Sequence, residues 1–297
     1  MRTRRRVGRF RSASAHDRFL AVYDAAMADL PAHETMDAAT SFGTVRAYRF
    51  EGPGDRAPVV LLPGRNASTP MWAGNIPSLM RHRTIISVDL LGEAGMSVQD
   101  KPVGDAEDEA RWLDDALAGL GLDAVHLLGV SIGGWTATNC AIHRSNRIAS
   151  VTLLDPVMTF ARVPLKAILA SLLLFPAGVP TALRQRVLSW ISGGADAGDS
   201  VSEAALISAA AKEFVIAKPM PKLFTDDQLR SLSLPVLALI AGRSVMLDPA
   251  VASARARSLL PRGQVEVWPE ASHAINGEYA EEIAQRAHQF WDEVDAT

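Results

Sequence analysis

The chain has few of the features that mark secreted, membrane-spanning or nucleic-acid-binding proteins. It contains one cysteine among 297 residues, Cys140, so an internal disulfide is impossible. The formal net charge of -3 gives no overall attraction for nucleic acid or for an anionic membrane surface. The most apolar run, residues 167–175, is too short to span a bilayer. We therefore expect a cytoplasmic protein with no membrane span, whose partner is a small molecule.

Apolar residues, by contrast, make up 48% of the chain, which is enough for a large core. The first six residues include four arginines, but no apolar segment follows as it would in an export signal. We expect residues 1–14 to form a basic disordered tail, followed by an amphipathic helix from Ala15 to Leu30. The sequence gives no indication of the oligomeric state.

Short apolar runs alternate with helical patterns along most of the remaining chain. Continuous Val, Ile and Leu runs indicate strands that are buried on both faces, as in a parallel sheet flanked by helices. A hairpin at Thr40–Phe42 and Thr44–Phe50 would add an antiparallel edge, giving a mostly parallel eight-stranded sheet. The predicted parallel strands are Pro58–Leu62, Thr84–Val88, Val125–Leu128, Ile148–Leu154, Pro235–Ala241 and Gln264–Trp268.

One connection is much longer than the others. About eighty residues separate Asp155 from Leu234, far more than an ordinary crossover requires. Helical patterns fill this stretch at 165–175, 181–191 and 202–214. We interpret residues 158–231 as an inserted helical cap over the ends of the strands, on a core formed by residues 15–157 and 232–297. A merely structural decoration is the alternative.

The pentapeptide Gly129-Val130-Ser131-Ile132-Gly133 stands where a buried strand changes into a helix. A serine at such a sharp turn needs small neighbours two residues away on either side. The N-terminus of the helix also directs unpaired N–H groups toward the site where an oxyanion forms during acyl transfer. This context predicts a nucleophile elbow, with Ser131 as the nucleophile and the Ile132 N–H as an oxyanion donor.

A serine nucleophile requires a base and, behind the base, an acid. Among seven histidines, His273 follows the last strand at the edge where the elbow emerges, so we predict it as the base. Asp248, beyond the strand that ends at Ala241, is the predicted acid because the order Ser131, Asp248, His273 suits such a triad. Asp248 also precedes Pro249 and could simply cap a helix. Asp155, at the end of the strand after the elbow helix, is the alternative acid.

The loop after the strand ending at Leu62 is the expected source of a second oxyanion donor. Gly64 allows close approach of the backbone, and the Arg65 N–H is the predicted donor. We expect the side chains of Asn66 and Trp72 to bind substrate, with solvent exposure for Asn66 and core packing for Trp72 as the alternatives. The mechanism would need no metal and no organic cofactor.

These motifs resemble those of the α/β-hydrolase superfamily, over nearly all of the chain after the tail. The segment Asp89-Leu90-Leu91-Gly92-Glu93-Ala94-Gly95-Met96-Ser97 is similar to its D-x-x-G-x-G-x-S loop, with one extra residue. Residues 61–64, 68–72 and 223–231 resemble small bacterial carboxylesterases of the YbfK-like type. Pro63-Gly64 departs from the usual His-Gly, which would alter the oxyanion loop.

The resemblance implies an α/β-hydrolase fold and a serine hydrolase that cleaves a small, hydrophobic carboxylic ester through an acyl-enzyme. The serine at position 131 disfavours the haloalkane dehalogenase and epoxide hydrolase branches, which carry aspartate there. The same triad can support a cofactor-free perhydrolase or a carbon–carbon bond hydrolase. A non-catalytic ligand receptor on the same fold is the alternative from another class.

Overall fold

The computed structural model of the chain describes residues 7–172, 179–191, 193 and 203–297. Nine strands within these ranges form one sheet, and two further short strands pair separately. The strands are β1 (Arg9–Phe10), β2 (Glu34–Thr40), β3 (Gly43–Phe50), β4 (Val59–Leu62), β5 (Ile85–Val88), β6 (Val98–Gln99), β7 (Val125–Val130), β8 (Ile148–Leu154), β9 (Phe214–Val215), β10 (Val236–Ala241) and β11 (Gly263–Trp268).

The main sheet has the order β11-β10-β8-β7-β4-β5-β3-β2, with β6 paired to β3. Pairing is parallel from β11 to β5 and antiparallel at β3, β2 and β6. The predicted mostly parallel eight-stranded sheet is therefore confirmed, with the short β6 as an addition. Because parallel strands share one carboxyl edge, the residues that follow β4, β7, β8, β10 and β11 all lie along the same edge.

Helices cover both faces of this sheet. Val60 and Leu62 of β4 belong to one buried apolar cluster, whereas Val59 and Leu61 belong to the other, as the alternation of a strand requires. The helices are α1 (Ala13–Met27), α2 (Ile76–Leu79), α3 (Ala106–Gly119), α4 (Ile132–His143), α5 (Leu165–Leu172), α6 (Thr181–Ile191), α7 (Glu203–Glu213), α8 (Asp226–Arg230), α9 (Pro249–Leu259), α10 (Ile275–Glu278) and α11 (Ala280–Asp295). Among the described helices, none combines the length and the apolar character that crossing a membrane requires.

The long connection between β8 and β10 carries α5, α6 and α7, as the helical patterns predicted. The predicted helix 165–175 is described as far as Leu172, and Ser202, Leu173 and Phe175 lie outside the described residues. We call residues 158–231 the inserted segment. Its interpretation as a cap stays a prediction.

The predicted basic tail of residues 1–14 is wrong for its second half. Arg9–Phe10 pairs antiparallel with Phe214–Val215 of the inserted segment, and the Phe10 and Phe214 rings meet at 4.9 Å. Residues 1–6 lie outside the described residues. Helix α1 begins at Ala13, after Ser12 accepts a hydrogen bond from the Ala15 N–H as the N-cap. The partly buried Phe10 ring and these backbone contacts hold the stretch against the inserted segment.

Candidate active site

Ser131 lies at the joint between β7 and α4, in the conformation that a nucleophile elbow requires. Its backbone has φ 54° and ψ -117°, outside the regions that most side chains favour. A Cβ on Gly129 would stand 2.4 Å from the Gly133 carbonyl oxygen, and one on Gly133 would stand 2.0 Å from that of Leu62. Both glycines are thus required by close backbone approach, as the motif predicted.

His273 meets Ser131 from the far end of the chain. It follows β11, and its Nε2 lies 3.0 Å from Ser131 Oγ across a sequence separation of 142 residues. The side chain is 11% exposed, so the ring is largely shielded while its edge remains reachable. With Nε2 as acceptor, the Ser131 hydroxyl donates to the imidazole, which is the arrangement of a nucleophile and its base.

The carboxylate behind His273 belongs to Asp155 and not to Asp248. His273 Nδ1 donates to Asp155 Oδ2 at 2.6 Å, and the Asp155 side chain is fully buried. Asp248 is exposed and caps α9, its Oδ1 accepting from the N–H groups of Ala250 and Val251. The structure therefore contradicts the prediction that Asp248 orients His273. The reason is that Pro249 starts a helix directly after Asp248, whose side chain turns to the free N–H groups there.

Two further donors hold the Asp155 carboxylate. The Ala241 N–H donates to Oδ1 at 3.1 Å, and the Ser244 hydroxyl donates to Oδ2 at 2.6 Å. Both come from the end of β10 and the loop after it, so the strand that was expected to supply the acid instead supplies its support. Asp155 itself has φ 41°, a conformation that aspartate and asparagine tolerate better than most residues.

The loop after β4 lies beside Ser131, where an oxyanion would form. A Cβ on Gly64 would stand 3.7 Å from Ser131 Cβ, so the two backbones are in close approach. The Gly64 N–H is directed to Met71 Sδ at 3.1 Å. The N–H groups of Arg65 and Ile132 make no hydrogen bond to any other residue that the structure describes. These are the two donors that the sequence predicted, and their role stays a prediction.

Glu93 contacts two residues of this loop, and the sequence analysis did not predict it as a site residue. Its Oε2 accepts from the Asn66 N–H at 3.0 Å, and its Oε1 lies 3.9 Å from Arg65 Nη2. Glu93 is 2% exposed, so the contact is shielded from water. Glu93 belongs to the motif Asp89–Ser97, the segment with one residue more than the superfamily pattern; that extra length was the signal available in the sequence.

A buried ion cluster compensates the charge of Glu93. Lys218 Nζ, from the inserted segment, lies 3.8 Å from Glu93 Oε1 and 3.3 Å from Glu109 Oε1. Trp112 donates its indole N–H to Glu109 Oε2 at 2.6 Å. Since an unpaired buried charge is costly, these partners make the position of Glu93 stable. The loop after β4 is thus connected to the inserted segment through charged side chains.

Glu203, the first residue of α7, brings a second carboxyl group toward His273. Burial raises the pKa of Glu203 to about 7, while the Asn276 side chain and the positive charge that His273 can carry oppose this increase. A neutral Glu203 therefore prevails below neutral pH, and a charged one above it. Nothing in the sequence pattern of α7 set this glutamate apart.

The two residues predicted to bind substrate occupy different environments. Asn66 adopts φ 61° next to Arg65 and is 6% exposed, within the loop that approaches Ser131. Trp72 is completely buried in an apolar cluster, together with Ile76 and Leu79. For Trp72 the structure favours the alternative of core packing, because a fully buried ring leaves no surface for a substrate. Asn66 stays a prediction.

The elements thus bring Ser131, His273 and Asp155 into one line of hydrogen bonds at the carboxyl edge of the sheet. A hydroxyl, an imidazole and a buried carboxylate in this order can transfer a proton away from the hydroxyl and stabilise the resulting imidazolium. The N–H groups of Arg65 and Ile132 have no hydrogen-bond partner among the described residues. Such an arrangement is suited to nucleophilic attack on a carbonyl group.

The fold and the geometry of this site are those of a hydrolase with a serine nucleophile elbow, and comparison with known protein families identifies the same class. The model of the alpha/beta hydrolase family matches residues 59–286, and the chain belongs to that family.

Two of the most similar relatives come from Bacillus subtilis. The uncharacterized carboxylesterase nap is 28% identical over 271 residues, which cover 85% of this chain and 85% of the relative. Carboxylesterase YbfK is 27% identical over 281 residues, covering 92% of this chain and 93% of the relative. The crystal structure of naproxen esterase from the same organism superposes with a TM-score of 0.87 at 26% identity, covering 94% of this chain and 99% of that one.

Proposed function

We propose that this chain is a serine carboxylesterase that cleaves the ester of a small, hydrophobic substrate through an acyl-enzyme. The observation that carries the proposal is the line of hydrogen bonds from Ser131 through His273 to Asp155, with distances of 3.0 and 2.6 Å. The two Bacillus subtilis relatives, both named carboxylesterases, support the choice of an ester among the possible acyl substrates.

In the first half-reaction Ser131 Oγ attacks the ester carbonyl while His273 Nε2 accepts its proton. The negative charge that develops on the carbonyl oxygen is stabilised by the N–H groups of Arg65 and Ile132. The imidazolium then donates its proton to the leaving alcohol, and an acyl group remains on Ser131. Asp155 keeps the Nδ1 proton of His273 in place and stabilises the imidazolium throughout.

In the second half-reaction water replaces the alcohol. His273 removes a proton from the water, which attacks the acyl carbonyl, and the tetrahedral adduct expels Ser131 Oγ with return of that proton. The products are a carboxylic acid and the free enzyme. The apolar side chains that the inserted segment carries on α5, among them Leu165 and Ile168, suit a hydrophobic substrate.

The proposal is tested by fluorophosphonate labelling together with hydrolysis of p-nitrophenyl esters of increasing chain length. Ser131→Ala should lose labelling and lower kcat by roughly 10⁵- to 10⁶-fold, because the variant lacks the hydroxyl that His273 contacts. Ser258→Ala, the same change at an exposed serine on α9, is the matched control and should behave as wild type. A folded wild-type protein that is neither labelled nor active on any ester would refute the proposal and favour a receptor.

Parallel reactions address other chemistry that the same residues can support. Peroxide with a carboxylic acid tests for a perhydrolase, and a vinylogous diketone tests for a carbon–carbon bond hydrolase. For the proposed esterase, kcat/KM for simple esters should exceed kcat/KM for either of these. The opposite ranking would contradict the choice of ester hydrolysis while leaving the role of Ser131 intact.

A further inference from the structure

An open cleft separates helix α6 of the inserted segment from the loop that follows β10. Its volume is about 660 Å³, and its lining includes Gln185, Arg186 and Trp190 on one side and Arg243 and Val245 on the other. The lining contains two cations, polar groups able to donate hydrogen bonds and apolar surface, and none of its described residues is acidic. This combination attracts an anionic group attached to an apolar one.

The cleft adjoins the site already described. Arg243 and Val245 flank Ser244, whose hydroxyl donates to Asp155 Oδ2 at 2.6 Å. At the end of α6, a Cβ on Gly193 would stand 2.5 Å from Ser272 Cβ, so the inserted segment touches the residue next to His273. The cleft is therefore a neighbour of the His273–Asp155 pair.

The two arginines of the cleft differ from most others in the protein. Most described arginines lie within 4 Å of a carboxylate, as Arg18 does with Glu213 and Arg255 with Asp226. Neither Arg186 nor Arg243 has such a partner among the described residues. Two exposed guanidinium groups facing one cleft without a counter-ion repel each other, so an arriving anion is favoured by both.

We propose that this cleft is a subsite for a carboxylate on the substrate, held by Arg186 and Arg243. The inference rests on the proposed esterase function and specifies its substrate class: a half-ester, in which an apolar chain joins the ester to a free carboxylate. The guanidinium groups bind the carboxylate through charge-assisted hydrogen bonds, and Trp190 and Val245 contact the chain.

The exposure of the two guanidinium groups determines how strongly the enzyme should prefer an ester that carries a carboxylate. Both guanidinium groups are exposed, so salt screens their attraction and the discrimination is moderate. Binding by these side chains acts equally on substrate and transition state, since they do not touch the reacting carbonyl. Their removal should therefore change KM and leave kcat nearly unaltered.

The test compares monoethyl adipate with ethyl hexanoate, which has the same chain length and lacks the carboxylate. Ethanol release gives kcat and KM for wild type, Arg186→Gln, Arg243→Gln and the double variant. We expect the double variant to raise KM for monoethyl adipate about tenfold, with little effect on ethyl hexanoate. High salt should also reduce the preference of wild type for monoethyl adipate over ethyl hexanoate.

Arg262→Gln is the matched control, because Arg262 lies directly before β11, at the opposite edge of the sheet. Equal KM values for the two esters in wild type, or a KM for monoethyl adipate that the double variant leaves unchanged, would overturn the subsite. Failure of the esterase proposal would give a distinguishable result, because neither ester would be cleaved and Ser131 would not be labelled. Adipate titrated into Ser131→Ala provides a readout without turnover, and loss of its binding in the double variant supports the subsite.

Discussion

Replacing Asp155 by asparagine separates the two candidate acids most sharply. Asparagine keeps the size of the side chain and tolerates the backbone conformation at φ 41°, so the fold should be retained. Its amide presents one oxygen and one NH2 group to three donors: the Ala241 N–H, the Ser244 hydroxyl and His273 Nδ1. With the amide oxygen on the Ala241 N–H, the NH2 group faces the Ser244 hydroxyl and His273 Nδ1, and both must then act as acceptors in a buried place.

The magnitude follows from the tautomer of His273. If the amide NH2 group faces Nδ1, the proton moves to Nε2, and the imidazole can no longer accept the proton of Ser131. The same exchange in the serine protease triad lowers kcat about 10⁴-fold, equivalent to about 5 kcal/mol of transition-state stabilisation. We expect Asp155→Asn to lose kcat by this order, with KM altered less than threefold.

The assay is steady-state hydrolysis of a p-nitrophenyl ester, with circular dichroism to verify folding. Asp248→Asn is the matched comparison and should retain wild-type kcat, because asparagine also caps helices well. Asp248→Ala should cost about 1 kcal/mol of unfolding free energy and no activity. Near-normal turnover in folded Asp155→Asn together with a large loss in Asp248→Asn would refute this assignment of the acid.

Two further predictions concern carboxyl groups outside this line of hydrogen bonds. Glu93→Gln should lower kcat about tenfold with little change in KM, because it removes the charge that holds the Asn66 N–H, and with it the predicted oxyanion loop, in place. Glu109→Gln, in the same buried ion cluster but without a contact to that loop, should lower kcat less, and equal losses would contradict a role for the loop contact. Because burial raises the pKa of Glu203 to about 7, the folded protein keeps the proton on this carboxyl group over a pH range in which the unfolded chain, with a pKa near 4.5, releases it. The unfolding free energy of wild type should therefore fall relative to that of Glu203→Gln as the pH rises from 4.5 to 7. A constant difference between the two over that range would contradict the raised pKa.

The candidate site divides into parts that the sequence predicts and parts that it cannot. Ser131 is predictable because the elbow is local: glycines two residues away on either side are forced by backbone contacts within the turn and with the neighbouring strand. His273 is predictable from its place after the last strand. Both depend on spacing along the chain and on the order of strands, which apolar patterns indicate well.

The choice between Asp155 and Asp248 as the acid cannot be made from spacing along the chain. Both follow strands at the same edge of the sheet, and both have a proline directly after them. Only the position of His273 across the neighbouring loops decides between them, and that position depends on side-chain distances over more than a hundred residues. The support from Ser244 and the anchoring by Glu93 are hidden for the same reason, since each joins loops far apart in sequence.

The pairing of β1 with β9 has a consequence for how the protein is made. Arg18 meets Glu213 across a sequence separation of 195 residues, and Phe10 packs on Phe214. At typical rates of synthesis, the first helix leaves the ribosome roughly 10 to 40 s before its partner segment does. During that interval Phe19 and Tyr23 have only part of their final surroundings. Helix α1 thus completes its packing only after the inserted segment, made 195 residues later, has been synthesised.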